Sequence, residues 1–223
     1  MKLYAQERRR FPDPAQSLDL QGIVAIGGDL SVEALLEAYS FGIFPWPHQG
    51  FPCLWYCPPQ RGVLDFNDLH LSRTLSRWLK KTDLQVTFNQ DFKAVIEACS
   101  QVPRPGQEGT WITPSLKKAY IAFHQAGYAH SAECWKEGQL VGGLYGVYVG
   151  GVFSAESMFY LEDNASKLAL LSWIELLKDH GLTWIDIQMV TPHLQQMGGK
   201  LISRDRFLKR IEVSRQKCRP LPF

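Results

Sequence analysis

The sequence predicts an α+β fold on a mainly antiparallel sheet, preceded by a small, loop-rich N-terminal region. Three strand-like runs follow one another over residues 128–160: "YAHSAECWKEG", "QLVGGLYGVYVG" and "GVFSAESMFY". The Gly-containing turns between them, "EGQ" and "GG", suit hairpins. With the helical patterns on either side, they make the stretch from about 61 onward an α+β body built on an antiparallel sheet. The first sixty residues are punctuated by Pro12, Pro14, Pro45, Pro47, Pro52, Pro58 and Pro59.

Taken in order, "SVEALLEAYSFG" is a helix with Ser31 as N-cap and Gly42 as stop. A short strand near "GVLDF" leads to a helix over 70–81, "HLSRTLSRWLKK". Leu71, Leu75, Trp78 and Leu79 fall on one face of it, with Arg73, Arg77, Lys80 and Lys81 largely on another. "LQVTFN" is a strand, "QDFKAVIEACS" a helix and "QVPRPGQEG" a loop. "TPSLKKAYIAFHQAG" has Thr113 as N-cap, Pro114 at the first helical position and Gly127 as stop. After the hairpins comes a helix, "NASKLALLSWIELLKDHG", capped by Asn164 or Asp163. The strand "LTWIDIQMV", a short helix "PHLQQMGG" and a last helix near "SRDRFLKRIEVSR" complete the chain. It divides into a Pro-rich, aromatic domain over 1–60 and a larger domain over 61–223.

No apolar run approaches the roughly 18 residues of a membrane span. The start, "MKLYAQERRRFPDPAQ", lacks the apolar stretch of a secretory signal. Five cysteines without paired CxxC motifs read as free thiols, so a reducing cytoplasm is expected, with no metal. The net charge of +2 hides an uneven spread. Residues 61–130 carry nine basic and six acidic side chains, residues 131–200 four and eight, and residues 201–223 seven and two. Basic segments flanking an acidic one suit an anionic and a cationic partner at different places, although solvated surface variation gives the same count.

Two strands carry polar groups where apolar ones are expected. In "GGVFSAESMF", Glu156 shares a strand face with Ser154 and Met158. A lone carboxylate among apolar neighbours is costly, so a partner is required. Either a ligand supplies a cation or a native residue such as Lys167 or His130 pairs with it. In "WIDIQMV", Ile185, Ile187 and Met189 form one face, and Asp186 and Gln188 project together from the other.

The chain resembles the bacterial leucyl/phenylalanyl-tRNA–protein transferases. The resemblance rests on "GGDLS" (27–31), "AYSFGIFPW" (38–46), "LWYCPPQRGVL" (54–64), "HLSR" (70–73) and "EGTWIT" (108–113). Further matches are "YAHSAECW" (128–135), "LVGGLYGV" (140–147), "ESMF" (156–159), "NASKLALL" (164–171) and "IDIQ" (185–188). They run in unbroken order from about residue 11 to 213.

The resemblance implies transfer of Leu or Phe, and Met less well, from aminoacyl-tRNA to the α-amine of proteins beginning with Arg or Lys. Proteins so marked enter the N-end rule pathway of degradation. It also implies a small N-terminal domain followed by a domain like the GNAT acyltransferases. No cofactor is expected, and a monomer is the expected state.

By the same resemblance, Gln188 and Asp186 match catalytic positions. Gln188 orients the amine and ester carbonyl; Asp186 orients Gln188 or relays a proton. The cation sought for Glu156 becomes the acceptor's N-terminus. Leu144, Phe153, Met158 and Leu170 match pocket positions for the transferred side chain, with Tyr120 nearby. The family commonly has Met where Leu144 stands, a small change in volume. Trp46 and Trp111 match positions flanking the terminal adenosine, with Tyr39 a further candidate. Arg73, Arg77, Lys80 and Lys81 are candidates for the acceptor-stem phosphates, although a basic helix face is often simply solvated.

Such chemistry is modest in its needs. The ester is already activated, and an α-amine with a reference pKa of about 7.7–8.0 is partly neutral near pH 7. Positioning, a proton acceptor and oxyanion donors suffice. Two alternatives are an acyl-CoA-dependent GNAT N-acyltransferase and a non-catalytic RNA- or peptide-binding module. For the first, "QQMGGK" is a near-miss to a pyrophosphate loop, with Lys200 at its last small position.

Overall fold

A computed structural model describes residues 10–17, 19–47, 50–102 and 110–223. Most of the loop expected over 101–109 lies outside the described residues, as do residues 1–9 of the N-terminal stretch.

The N-terminal region forms a three-stranded antiparallel sheet from β1 (Ile23–Ile26), β2 (Phe44–Trp46) and β3 (Leu54–Tyr56), in the order β1-β3-β2. Helix α1 (Val32–Ser40) connects β1 to β2. The Ser31 hydroxyl accepts the Ala34 N–H at its start. Gly42 ends it with φ +72, where an added Cβ would meet the Phe207 and Ile211 side chains.

The remaining strands build a seven-stranded sheet. They are β4 (Gln60–Asp65), β5 (Gln85–Phe88), β6 (Ala129–Lys136), β7 (Gln139–Val149), β8 (Val152–Tyr160), β9 (Trp184–Gln188) and β10 (Lys200–Ser203). Their order is β10-β4-β9-β8-β7-β6-β5. The two hairpins turn as expected, with consecutive positive φ at Glu137–Gly138 and at Gly150–Gly151. Every neighbouring pair is antiparallel except β8 and β9, which the crossover helix α5 (Ala165–Asp179) makes parallel. That parallel pair has a single register partner, Ser154 with Asp186. Beyond it the two strands share no ladder, and the sheet opens.

Helices cover both faces. α3 (Phe92–Gln101), α4 (Pro114–Gln125) and α1 pack with β7 in one core, which also holds Phe44 and Trp55 of the small sheet. α2 (Arg73–Leu79) and α5 pack in a second core, and α7 (Arg204–Gln216) closes a third. The first core therefore takes side chains from both sides of residue 60. A short helix, α6 (Pro192–Gln196), follows β9.

Two helix boundaries differ from expectation. The basic helix spans Arg73–Leu79 instead of 70–81, because Ser72 caps it and Lys80 already forms its C-cap. Asn164 precedes α5 in a left-handed conformation, φ 66, without a side-chain cap bond; its side chain accepts from Lys167 Nζ at 2.8 Å instead.

Candidate active site

Glu156 and Gln188 each stand two residues beyond the last β8–β9 partner pair, one on either side of the opening. The Gln188 Nε2 donates to Glu156 Oε1 at 2.7 Å. The Tyr39 hydroxyl donates to the same oxygen at 2.7 Å, and the Tyr120 hydroxyl to Oε2 at 3.1 Å. Glu156 is thus half-buried and held by three neutral donors. Among the described residues no Lys or Arg forms an ion pair with it. Lys167 bonds Asn164, and His130 bonds Asn89 at 3.1 Å, so neither native cation considered from sequence fills the role. Burial pushes the Glu156 carboxyl up to about 7; the three hydrogen bonds pull it back, and the nearby Asp186 charge adds to the rise.

Asp186 is fully buried and grips Arg61. Arg61 Nε meets Oδ1 at 2.8 Å and Nη2 meets Oδ2 at 2.7 Å. The guanidinium lies between the Phe44 and Phe207 rings, 4.5 and 4.6 Å from their centroids. The Ser154 hydroxyl donates to Asp186 Oδ2 at 2.9 Å, and the Gln188 backbone N–H to Oδ1 at 2.9 Å. That last bond matters because Gln188 has φ +56, a conformation costly for any residue but glycine. Gly62, its partner on β4, has the Met189 backbone 2.9 Å from where a Cβ would be, so the strand end closes over a position without a side chain. The strand that sequence alternation extends through Met189 stops at Gln188 for this reason.

A cavity of about 340 Å³ occupies the opening. Trp46, Trp111, Leu144, Met158 and Leu170 line it together with Glu156 and Gln188. Phe153 does not line it: it is fully buried behind, stacked on Trp173 at 4.7 Å. Tyr120 and Tyr39 also lie in the core and reach the site only through their hydroxyls. Trp46 and Trp111 stack on each other, centroids 5.5 Å apart, so a base flanked by both requires the rings to part. Arg73, Arg77, Lys80 and Lys81 are exposed and line no part of this cavity.

Sequence reasoning missed Arg61 and His193. Arg61 carries the same signal as Glu156, a charge inside an apolar strand. His193, on α6, lines the cavity, and its Nε2 is buried without a hydrogen-bond partner among the described residues. Burial and the Lys167 charge hold its imidazole below the usual range.

The "QQMGGK" stretch leads out of α6 and into β10, so its amides do not cap the start of a helix, where a pyrophosphate is best held. Lys200 turns instead to Asp65 and Asp68, at 2.8 and 2.5 Å. The start of α5 is preceded by Glu162 and Asp163, which repel phosphate. Among the described residues there is no cluster of metal ligands, and no helix is long and apolar enough to cross a membrane.

Residues 63–212 match the family described as leucyl/phenylalanyl-tRNA protein transferase, and residues 28–59 match the N-terminal domain of the same family. A leucyl/phenylalanyl-tRNA–protein transferase of Shewanella halifaxensis is 47% identical over 91% of this chain and 86% of its own length. One from Myxococcus xanthus is 47% identical over 90% of this chain and 86% of its own. Among solved structures, the C-terminal domain of a putative lysylphosphatidylglycerol synthetase from Agrobacterium fabrum overlaps 72% of this chain and 52% of its own, at 12% identity and a TM-score of 0.40. With both segments matched in order and relatives at that identity along nearly the whole chain, the protein is an aminoacyltransferase and belongs to the leucyl/phenylalanyl-tRNA–protein transferase family.

Proposed function

We propose that the chain transfers Leu or Phe, and Met less well, from aminoacyl-tRNA to the α-amine of proteins beginning with Arg or Lys. The products enter N-end rule degradation in the cytoplasm. The enzyme acts as a monomer with a GNAT-like catalytic domain over 61–223 and a small domain over 1–60. The observation that carries this reading is the Gln188–Glu156 hydrogen bond at the mouth of an apolar cavity of about 340 Å³.

The transferred side chain sits against Leu144, Met158 and Leu170, with Phe153 buttressing them. Met158 is flexible enough to fit both branched and aromatic shapes. Such a pocket separates ligands differing by one methylene by only about 1–3 kcal/mol, so breadth within Leu, Phe and Met follows. Trp46 and Trp111 receive the terminal adenine by stacking, while Tyr39 supports Glu156. The ribose gives the His193 imidazole its missing partner. The exposed basic residues Arg73, Arg77, Lys80 and Lys81 meet the acceptor-stem phosphates.

The neutral α-amine attacks the ester carbonyl carbon and forms the new C–N bond. Gln188 has one amide N–H on Glu156 and the other left for the carbonyl oxygen, which becomes the oxyanion. The amine loses a proton as the C–O bond to the ribose breaks, and the ribose oxygen gains one. Glu156, with its carboxyl near 7, takes or holds the ammonium proton at the start. Asp186, saturated by Arg61, Ser154 and the Gln188 amide, serves as the orienting partner.

The test is a mass shift. Incubation with Leu-tRNA and peptides differing only in their first residue should add one leucine to those starting with Arg or Lys. Equal modification of peptides starting with neutral residues contradicts the proposed specificity.

A further inference from the structure

The last helix lays one face into a groove at the far end of β8 and β9 from the candidate site. Arg206, Lys209, Arg210, Val213, Ser214 and Lys217 recur at helical spacing and line one wall. Gly151, just before β8, and the 180–184 segment that leads into β9 form the other, enclosing about 320 Å³. Trp184 is held from this helix: its indole N–H donates to Ser214 Oγ at 3.2 Å, and the Arg210 guanidinium lies 4.2 Å from the ring centroid. Arg210 is also paired with Asp65.

Charge is sorted around this helix. Among the described residues no Asp or Glu lines the groove, and Arg206, Lys209 and Lys217 are exposed and form no ion pair. The carboxylates of α7, Asp205 and Glu212, fall outside the lining face. Three unpaired cations on one face repel one another and leave a field that an anion neutralises. From Arg206 to Lys217 the face runs about 16 Å at ~1.5 Å per residue, a length that suits successive charges of a polyanion more than one small anion. It is separate from the basic residues of α2. That helix packs in the core with Leu64 and α7 in the core with Val63, consecutive residues of β4 that point to opposite faces of the sheet.

The groove's place in the fold chooses among polyanions. It stands at the Gly151 and Trp184 ends of the two strands that carry Glu156 and Gln188, roughly 15 Å from those groups along the strands. A few unpaired nucleotides at a tRNA 3′ end cover that distance, whereas the cationic start of the acceptor is repelled here. We propose that the α7 groove binds the phosphate backbone of the donor tRNA's acceptor arm, beyond its unpaired 3′ end. The proposal rests on the transfer reaction proposed above and gives the enzyme a second RNA-binding surface besides α2.

The test compares Leu-tRNA with leucyl-adenosine, a donor that keeps the ester and the terminal base but lacks the RNA body, with a peptide beginning with Arg as acceptor. Arg206→Gln, Lys209→Gln and Lys217→Gln combined should raise the Kd for Leu-tRNA about tenfold at low salt and lower the slope of log affinity against log salt by about two. The KM for leucyl-adenosine should stay at the wild-type value, which a misfolded protein would not show. Lys209→Glu alone should give the same contrast, and it decides the question if the triple variant does not fold. An unchanged Kd and salt slope for Leu-tRNA in the folded variant overturns the groove while leaving the transfer reaction standing. A change confined to the KM of an acidic protein acceptor, with Leu-tRNA affinity intact, overturns it in favour of a protein partner. Absence of leucine transfer from either donor by the wild type overturns instead the reaction on which the groove rests.

Discussion

The Gln188 side-chain amide reaches the Glu156 carboxylate across the open end of the β8–β9 pair, at 2.7 Å. Each group comes from a different strand, and neither is bonded there to a cation. Gln188→Ala removes the amide without removing the cavity. Transfer should fall about 100-fold or more, the usual effect of losing an oxyanion donor. Aminoacyl-tRNA affinity should change little. Single-turnover rates and filter binding measure the two separately, and an unchanged rate removes Gln188 from the mechanism.

Glu156→Gln keeps the shape and removes the charge. Use of acceptors beginning with Arg or Lys should weaken, with KM rising more than kcat falls. The wild-type pH profile for these acceptors should rise through about 7 as the carboxyl ionises, and that limb should be absent in the variant. A limb persisting at the same pH in Glu156→Gln assigns it to another group.

The same carboxyl makes a stability prediction. Its folded pKa of about 7 lies above the unfolded reference of about 4.3, so the native state holds a proton that the unfolded chain releases between those values. Stability from this group is intact below about pH 4, falls as pH rises through the window and stays low above about 7. Relative to wild type, Glu156→Gln should therefore gain stability between about pH 4.5 and pH 8. Denaturant midpoints at both pH values check the sign.

Arg61→Met leaves Asp186 buried and unpaired. Breaking such a pair from one side costs about 3–5 kcal/mol, and here the carboxylate left without its cation is the one that accepts the Gln188 backbone N–H. A markedly lower unfolding midpoint is expected. A midpoint within experimental error of wild type contradicts the role given to the pair.

Trp46→Ala or Trp111→Ala should weaken binding of charged tRNA by about 1–3 kcal/mol if each ring stacks on the base. The two rings stack on each other, so seating a base between them should change tryptophan fluorescence when Leu-tRNA binds. Normal affinity in both variants refutes the stacking role.

Most of the fold was legible because its signals are local. Ser31 and Thr113 cap helices, Gly42 and Gly127 end them, and glycines turn both hairpins. The anomaly in one strand drew attention to Glu156, because a polar group among apolar neighbours demands a partner; Asp186 and Gln188 stood out as a shared polar face, and their roles came from the family resemblance. What those partners are was not legible. Tyr39 and Tyr120 are 81 residues apart, and both lie at a distance in sequence from Glu156. Only long-range packing brings their hydroxyls to it. Arg61 and Asp186, 125 residues apart, pair for the same reason. The end of β9 was misread because alternation predicts a continuing strand, whereas the positive φ at Gln188 depends on Gly62 across the sheet. His193 was passed over because a histidine in a short helix after a Thr-Pro turn carries no periodic signal.

The most direct measurement offers one peptide beginning with Arg two donors in parallel, Leu-tRNA and acetyl-CoA, and locates any added group by tandem mass spectrometry. Leucine on the α-amine from Leu-tRNA, with no acetylation from acetyl-CoA, is the predicted result. Acetylation of the peptide, or RNA binding with no transferred leucine, would contradict it.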